Sequence, residues 1–138
     1  MKALIWQLRP QGLEDGIVTA LLNYGNVLNL DVEIDVKGVN TLLCQIEETL
    51  WRIGQEALNN CKKHAGTSKV QITLTRHNHV VSMSIVDKGK GFTYDENAKI
   101  PSLGLQSMRE RASRLNGNFQ LTSSVGNGTK VEITIPIN

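Results

Sequence analysis

Residues 42–64 of the chain read LLCQIEETLWRIGQEALNNCKKH, and their apolar side chains recur at the spacing of one long amphipathic helix. At about 100° per residue, one face of this helix carries Ile46, Thr49, Leu50, Ile53 and Ala57. Glu56, Asn60 and His64 lie on or beside the same face, at successive four-residue steps. Because a polar group buried without a partner costs roughly 1–3 kcal/mol, these three side chains are expected to have partners at the edge of a core.

The composition is that of one globular domain of ordinary size. The 138 residues are 40% hydrophobic and 20% charged, a balance that argues against disorder and allows a core without disulfides. A formal charge of +2, few aromatic residues and no basic stripe argue against a nucleic-acid partner. No apolar run approaches the roughly 20 residues of a membrane span, so no direct membrane contact is expected of this domain.

The two cysteines, Cys44 and Cys61, both fall on the predicted long helix. At a rise of about 1.5 Å per residue they would be roughly 25 Å apart, which is too far for a disulfide. We expect two reduced thiols, buried or half-buried, and reduced cysteines fit a cytoplasmic setting.

Eight segments have the periodicity of regular secondary structure. Helices are predicted over 13–28, 42–64 and 103–115, and strands over 31–36, 69–76, 80–86, 119–123 and 130–135. The polar turn at 77–79 makes the second and third strands an antiparallel hairpin. These elements predict an α+β fold, a two-layer sandwich with about three helices on one face of a mixed sheet. Residues 1–12 are interpreted as the end of a linker and residues 13–138 as the domain.

The polar residues of the long helix have the chemistry of a metal and phosphate site. The Asn60 carbonyl is a neutral oxygen suited to Mg²⁺, which also takes phosphate oxygens and waters. Glu56, one turn earlier, could act as a base or hold a metal-bound water. Lys63 and His64, near the helix end, could meet phosphate. The alternative is that Asn60 and His64 hydrogen-bond neighbouring backbone.

A second motif comes directly after an apolar strand and consists of Asp87, Gly89 and Gly91. A carboxylate at a strand end can accept a hydrogen bond from the adenine amine, and glycines let the backbone approach a ligand closely. The alternative is an ordinary turn that begins with an aspartate. A phosphate-binding P-loop is excluded, because the pattern GxxxxGK[ST] occurs nowhere in the chain.

Two further glycine motifs lie nearer the carboxyl end of the chain. Gly104 and Leu105 stand at the start of a helix, where exposed amides favour an anion. An ordinary helix start capped by Ser102 is the alternative. The other motif opens the last strand and is either a ligand contact through its threonine or a plain hairpin turn: Gly126, Gly128 and Thr129.

Taken in order, these four motifs resemble the Bergerat-type ATP-binding fold shared by histidine kinases, DNA gyrase, a heat-shock chaperone family and mismatch-repair ATPases. Residues 51–65, WRIGQEALNNCKKHA, resemble the N box of sensor histidine kinases related to the nitrate/nitrite and fatty-acid-desaturation sensors. Residues 104–112, GLQSMRERA, and the Leu-Arg-Pro entry at 8–10 resemble the same group. The similarity covers essentially the whole chain.

This resemblance implies the catalytic domain of a bacterial two-component sensor kinase that uses ATP and Mg²⁺. Asn60 would coordinate Mg²⁺ bound to the phosphates, Asp87 would hold the adenine amine, and Glu56 would activate the reaction. The remaining residues would line the nucleotide site or close its lid: Lys63, His64, Gly89, Gly91, Gly104, Leu105, Gly126, Gly128 and Thr129. Family members often carry a histidine before the Gly-Leu pair, whereas residues 101–103 here are Pro-Ser-Leu.

The implied reaction transfers the γ-phosphoryl group to a histidine on a dimerisation domain, from which a response regulator takes it. His64 belongs to the N box, while His77 and His79 belong to the hairpin turn. With no phosphoacceptor helix among the 138 residues, we expect the chain to bind ATP without phosphorylating itself. The domain would be the cytoplasmic part of a membrane-bound receptor.

Two alternatives stay open at this point. The first is a free-standing anti-sigma factor serine kinase of the same fold, which Met1 favours and the Arg-Glu-Arg-Ala helix disfavours. The second is a structural domain that binds no ligand. Binding of an ATP analogue separates the second from the kinase, and capture of a sigma factor separates the first.

Overall fold

The computed structural model describes residues 16–39, 42–91 and 104–137, apart from the side chains at 64 and 65. Within these ranges there are three α-helices: α1 (Ile17–Val27), α2 (Cys44–Asn60) and α3 (Leu105–Arg114). The strands in the same ranges are β1 (Asp31–Lys37), β2 (Lys69–His77), β3 (Val80–Asp87), β4 (Asn118–Ser123) and β5 (Thr129–Pro136). The linker predicted at 1–12, the first residues of the helix predicted at 13–28 and the loop 92–103 lie outside the described residues.

The five strands form one mixed sheet in the order β1-β2-β3-β5-β4. β1 and β2 are parallel, because α2 carries the chain back across the sheet between them. The other neighbours are antiparallel, and the predicted hairpin between β2 and β3 is confirmed. Its turn uses Asn78 at φ 55°, a left-handed conformation that asparagine tolerates better than most residues.

Alternation along the strands puts all three helices on one face of the sheet. Every second residue of the central strands is buried, as at Ile72, Met83 and Ile133, each 0% exposed. The residues between them, such as Thr73 and Ser84, are polar and only half-buried. An antiparallel sheet with one solvated face shows this pattern, and the predicted two-layer α+β sandwich is confirmed.

Helix α2 lies at the centre of the helical layer. Its buried residues include Leu50 and Ile53, both 0% exposed, whereas Thr49 of the predicted stripe is only half-buried. A Cβ atom at Gly54 would lie 2.6 Å from Leu21 Cδ2, so the glycine allows α1 to pack closely against α2. Cys44 is exposed at the first position of α2, and the prediction that both thiols are at least half-buried is wrong for this residue.

The helix predicted over 42–64 changes character at its carboxyl end. The α-helix stops at Asn60, a π-helical turn spans Cys61–Ala65, and Gly66 ends it at φ 73°. Single π-helical turns are rare and occur frequently at functional sites. This turn alters the rotation of the last residues, so the regular repeat of about 100° per residue does not describe the chain from Cys61 to Ala65.

Helix α3 ends at Arg114, one residue before the predicted end at 115. Asn116 is left-handed at φ 58°, and its N–H and that of Gly117 bond the carbonyls of Ser113 and Ala112. This is the Schellman arrangement, which satisfies carbonyls at a helix end. None of the helices in the described ranges has the length and apolar character needed to cross a membrane.

Candidate functional site

Asp87 ends β3 on the helix-covered face of the sheet and is 6% exposed. The strand register sets it directly opposite Thr129 on β5, whose side chain lies on the same face. Thr129 is itself half-buried, with its hydroxyl 2.9 Å from that of Ser123. A carboxylate and two hydroxyls therefore stand in one row across the end of three strands.

Cys61 connects this row to helix α2. Its thiol donates a hydrogen bond to Asp87 Oδ2 at 3.3 Å, while the Gly89 N–H donates to Oδ1 at 2.9 Å. Burial raises the pKa of the Cys61 thiol, and the charge of the Asp87 carboxylate raises it further. Cys61 comes next to Asn60 in the chain, so the contact brings the end of the N box onto the predicted adenine-binding carboxylate.

Two predicted glycine motifs pack against each other beside Asp87. The Gly126 N–H donates to the Lys90 carbonyl at 2.7 Å, which ties the loop after β3 to the turn before β5. A Cβ atom at Gly91 would clash with the Ser124 carbonyl oxygen, and one at Gly128 with the Asp87 carbonyl oxygen. Both glycines have positive φ, at 63° and 78°. Close approach of two backbones therefore requires glycine at both positions.

Glu56 lies one turn before Asn60 on α2 and is half-buried. A Cβ atom at Gly104 would clash with the Glu56 carboxylate, so the start of α3 lies directly against this side chain. Gly104 itself is left-handed at φ 73°. The first turn of a helix has amides without intrahelical partners, and here that turn adjoins a carboxylate.

The other predicted site residues differ in how far they are buried. Asn60 is half-buried at the last position of α2, and Lys63 is exposed on the π-helical turn. The side chain of His64 lies outside the described part of the chain. Leu105 is 1% exposed and belongs to the core, so any ligand contact it makes must come from its backbone. The assignment of Leu105 to the nucleotide site stays a prediction.

A polar cleft that includes Glu56 was not predicted from the sequence. Tyr24 of α1 donates a hydrogen bond to Asn59 Oδ1 at 2.9 Å, and its ring meets Trp51 edge-on at 5.8 Å between centroids. Six residues line the cleft: Tyr24, Arg52, Gln55, Glu56, Asn59 and Arg111. Four of them repeat on α2 at three- and four-residue steps, a polar stripe that the sequence could have revealed.

Comparison with known proteins identifies the family. Residues 45–138 match the family described as histidine kinase-, DNA gyrase B-, and HSP90-like ATPase. This match covers more than half of the chain and includes α2 from its second residue onward, Asp87 and the glycine motifs. The chain belongs to this ATPase family. Membership in this family implies that the domain binds ATP.

Curated members of the ATPase family are similar over the whole chain. It is 46% identical to the sensor histidine kinase YhcY and 37% identical to the sensor histidine kinase LiaS, both of Bacillus subtilis, over 99% of its length. It is 34% identical to the sensor protein VraS of Staphylococcus aureus over 100%. The chain spans 36%, 39% and 41% of these relatives' own lengths. It is therefore homologous to the catalytic ATPase domains of sensor histidine kinases.

Solved structures of histidine kinases have the same fold as this ATPase domain. The blue-light activated histidine kinase of Erythrobacter litoralis superposes with a TM-score of 0.69 at 19% identity, covering 88% of this chain and 42% of that one. The histidine kinase AdeS of Acinetobacter baumannii gives 0.65 at 20% identity, covering 99% and 64%. The reported relatives do not favour the anti-sigma factor alternative. The proposed link to nitrate/nitrite sensors stays a prediction.

The two cysteines of this ATPase domain should differ strongly in reactivity. The thiolate is the reactive form, and Cys61 is 5% exposed with a raised thiol pKa, whereas Cys44 is exposed. We expect a disulfide reagent at mildly alkaline pH to modify Cys44 at least about 100-fold faster than Cys61. Cys44→Ser should abolish the fast phase of thiol modification, and unfolding in denaturant should make Cys61 react rapidly. Equal rates for the two thiols in the folded protein would contradict the buried contact with Asp87.

Proposed function

We propose that this chain binds Mg·ATP and transfers the γ-phosphoryl group to a histidine on a dimerisation domain of the same kinase. A response regulator would then take the phosphoryl group. Homology to sensor histidine kinases supports this role. The observation that carries it is the 3.3 Å bond from Cys61 to Asp87, which joins the two halves of the site across 26 positions of sequence.

The base would be recognised by Asp87. Its two oxygens already accept hydrogen bonds from Cys61 and Gly89. Each carboxylate oxygen has a second lone pair, so Asp87 can accept the adenine amine as well. Thr129 lies opposite Asp87 in the strand register and adds a hydroxyl to the same wall. This arrangement favours a base with an exocyclic amine over one with a carbonyl at that position.

The donor set suits Mg²⁺ that is held mainly by phosphates. The described part of the chain contains no group of three His, Cys, Asp or Glu side chains that could hold a metal ion unaided. Mg²⁺ usually keeps waters and phosphate oxygens and takes one or two protein oxygens, and Asn60 would supply one. Bound Mg²⁺ would neutralise charge on the transferring phosphoryl group.

Glu56 would face the incoming histidine. It is half-buried and lies against Gly104, where the positive end of α3 favours phosphate oxygens. As a carboxylate it can hold the acceptor imidazole by its N–H and so orient the other ring nitrogen for attack. Phosphoryl transfer depends mostly on such positioning and on charge neutralisation. In this proposal the domain is the cytoplasmic part of a membrane-bound receptor.

A labelling experiment tests the transfer. The chain would be incubated with γ-labelled ATP and Mg²⁺, alone and together with the part of YhcY that lies outside the matched region. We expect acid-labile phosphate on the YhcY part and none on the chain alone. His77 and His79 lie at the opposite end of β2 and β3 from Asp87. Because seven residues of strand span about 23 Å, neither histidine lies near the proposed site, and no label is expected on them.

Two outcomes would count against the proposal. Phosphohistidine on the isolated chain would mean that a histidine of the chain itself reaches the site. ATP binding without any transfer to the YhcY part would leave an ATP-binding domain whose partner is of another kind. Glu56→Gln serves as a matched variant, since it keeps the side-chain shape and should retain ATP binding while losing transfer.

A further inference from the structure

A polar cleft that shares Glu56 with the predicted nucleotide site is lined by Tyr24, Arg52, Gln55, Glu56, Asn59 and Arg111. It lies where α1, α2 and α3 meet and has a volume of about 200 Å³. Of the predicted site residues whose side chains the structure describes, only Glu56 lines it. Among these described side chains, the cleft and the predicted nucleotide site therefore share Glu56 alone.

The cleft holds two arginines with no partner in the described part of the chain. Arg52 and Arg111 are both half-buried, and neither makes a hydrogen bond or an ion pair there. Arg52 and Glu56 stand four residues apart on α2, a spacing at which opposite charges often pair, yet no ion pair joins them. A half-buried guanidinium without a partner is poorly solvated, so a ligand that supplies oxygens would be stabilised here.

The charges on the cleft wall specify the ligand. Two guanidinium groups and the Glu56 carboxylate leave one positive charge, which matches a single carboxylate better than a triphosphate. A guanidinium binds a carboxylate through two parallel hydrogen bonds. The Tyr24 hydroxyl occupies the Asn59 carbonyl oxygen, so the amide N–H groups of Asn59 remain as further donors. The cleft wall therefore presents several hydrogen-bond donors around one carboxylate acceptor, that of Glu56.

We propose that this cleft binds an acidic side chain of the segment that carries the phosphoacceptor histidine. Arg52 and Arg111 would bind its carboxylate and so position the neighbouring histidine next to Glu56. The inference rests on the proposed phosphoryl transfer, because it assigns a partner to the same active site. Arg52 and Arg111 are positioning residues in this scheme, since they act on the partner and not on the reacting atoms.

The test measures partner recognition separately from ATP binding. The chain and its Arg52→Gln/Arg111→Gln variant would be assayed for transfer to the YhcY part outside the matched region, over a range of its concentration. We expect KM for the YhcY part to rise about 30-fold or more and kcat to change less than about 3-fold, because charge-assisted contacts to the partner are lost while the reacting groups are untouched. Arg111→Lys should lie between, since it keeps the charge and loses the fork.

Matched measurements separate this role from others. Arg114→Gln removes an exposed arginine from the same helix outside the cleft and should leave KM unchanged. Calorimetric titration with an ATP analogue should give the same Kd for every variant, and thermal unfolding the same Tm. Weaker ATP binding in the double variant would mean that the two arginines bind ATP and not the partner. A lower Tm with unchanged KM would mean that they only stabilise the fold. Either result overturns the proposal.

Direct binding keeps the inference testable if no transfer occurs. Association of the fluorescently labelled YhcY part with the chain would be followed by anisotropy in the presence of the ATP analogue. We expect binding that salt weakens and that the double arginine variant loses. Binding of the YhcY part without phosphoryl transfer would contradict the proposed function, whereas the assignment of the cleft as a partner-binding site would be retained. Equal binding by the wild-type chain and the double variant, or none by either, would refute the cleft assignment.

Discussion

Replacing Asp87 by asparagine is expected to weaken ATP binding about 100-fold while the domain stays folded. The substitution keeps the shape of the side chain and a carbonyl oxygen for the Gly89 N–H. It also puts an amide N–H₂ where Oδ2 now accepts the Cys61 thiol. A donor facing the adenine amine cannot bond to it, and a contact to a charged group worth roughly 1.5–3 kcal/mol is lost.

Calorimetric titration with a non-hydrolysable ATP analogue and Mg²⁺ checks this expectation. Asp35→Asn is the matched control, because Asp35 is exposed on edge strand β1, where it accepts a bond from Gln71 at 3.1 Å. That variant should bind the analogue as the wild type does. Wild-type affinity in Asp87→Asn would mean that the base is recognised elsewhere, and the site built around Cys61 and Asp87 would have to be abandoned.

Gly128→Ala is expected to lower the free energy of unfolding by about 3 kcal/mol. The new Cβ would clash with the Asp87 carbonyl oxygen and lie 2.9 Å from Lys88 Cα, and neither backbone atom can rotate away. The residue would also remain left-handed at φ 78°, which costs an L-residue about 1–2 kcal/mol. Since the displaced atoms belong to Asp87 and its neighbour, ATP binding should weaken as well.

The same turn provides the control. Gly126 is left-handed at φ 86°, yet a Cβ atom there would meet nothing within 4 Å. Gly126→Ala should therefore lower the free energy of unfolding only by the backbone term, about 1 kcal/mol. Urea unfolding of both variants measures the difference. Equal destabilisation by the two substitutions would show that the contact between this turn and the end of β3 is unimportant.

Local signals in the sequence predicted most of the elements correctly. Strand alternation is set by the two-residue repeat of extended backbone, so the burial of Ile72 and Met83 could be read directly. The hairpin at 77–79 and the left-handed end of α3 at Asn116 result from the few conformations that such turn residues adopt. The helix predicted over 42–64 was wrong at both ends, because α2 begins at Cys44 and a π-helical turn follows Asn60.

The candidate site divides in the same way. The residue types needed to bind a nucleotide, a carboxylate after a strand, an amide on a helix and paired glycines, were visible in the chain itself. The partner of Asp87 was not, because Cys61 reaches it only after α2 has packed across the sheet. No local pattern encodes that contact.

The sequence by itself determined the secondary structure, the apolar face of each element and the chemical groups of the site, since each depends on backbone geometry over a few neighbouring residues. Only the tertiary structure decided the strand order, with β5 between β3 and β4, and therefore the pairing of Asp87 with Thr129. It alone brought Arg52 and Arg111 together in one cleft. Such contacts depend on how whole helices pack against the sheet, and that packing is a property of the complete core.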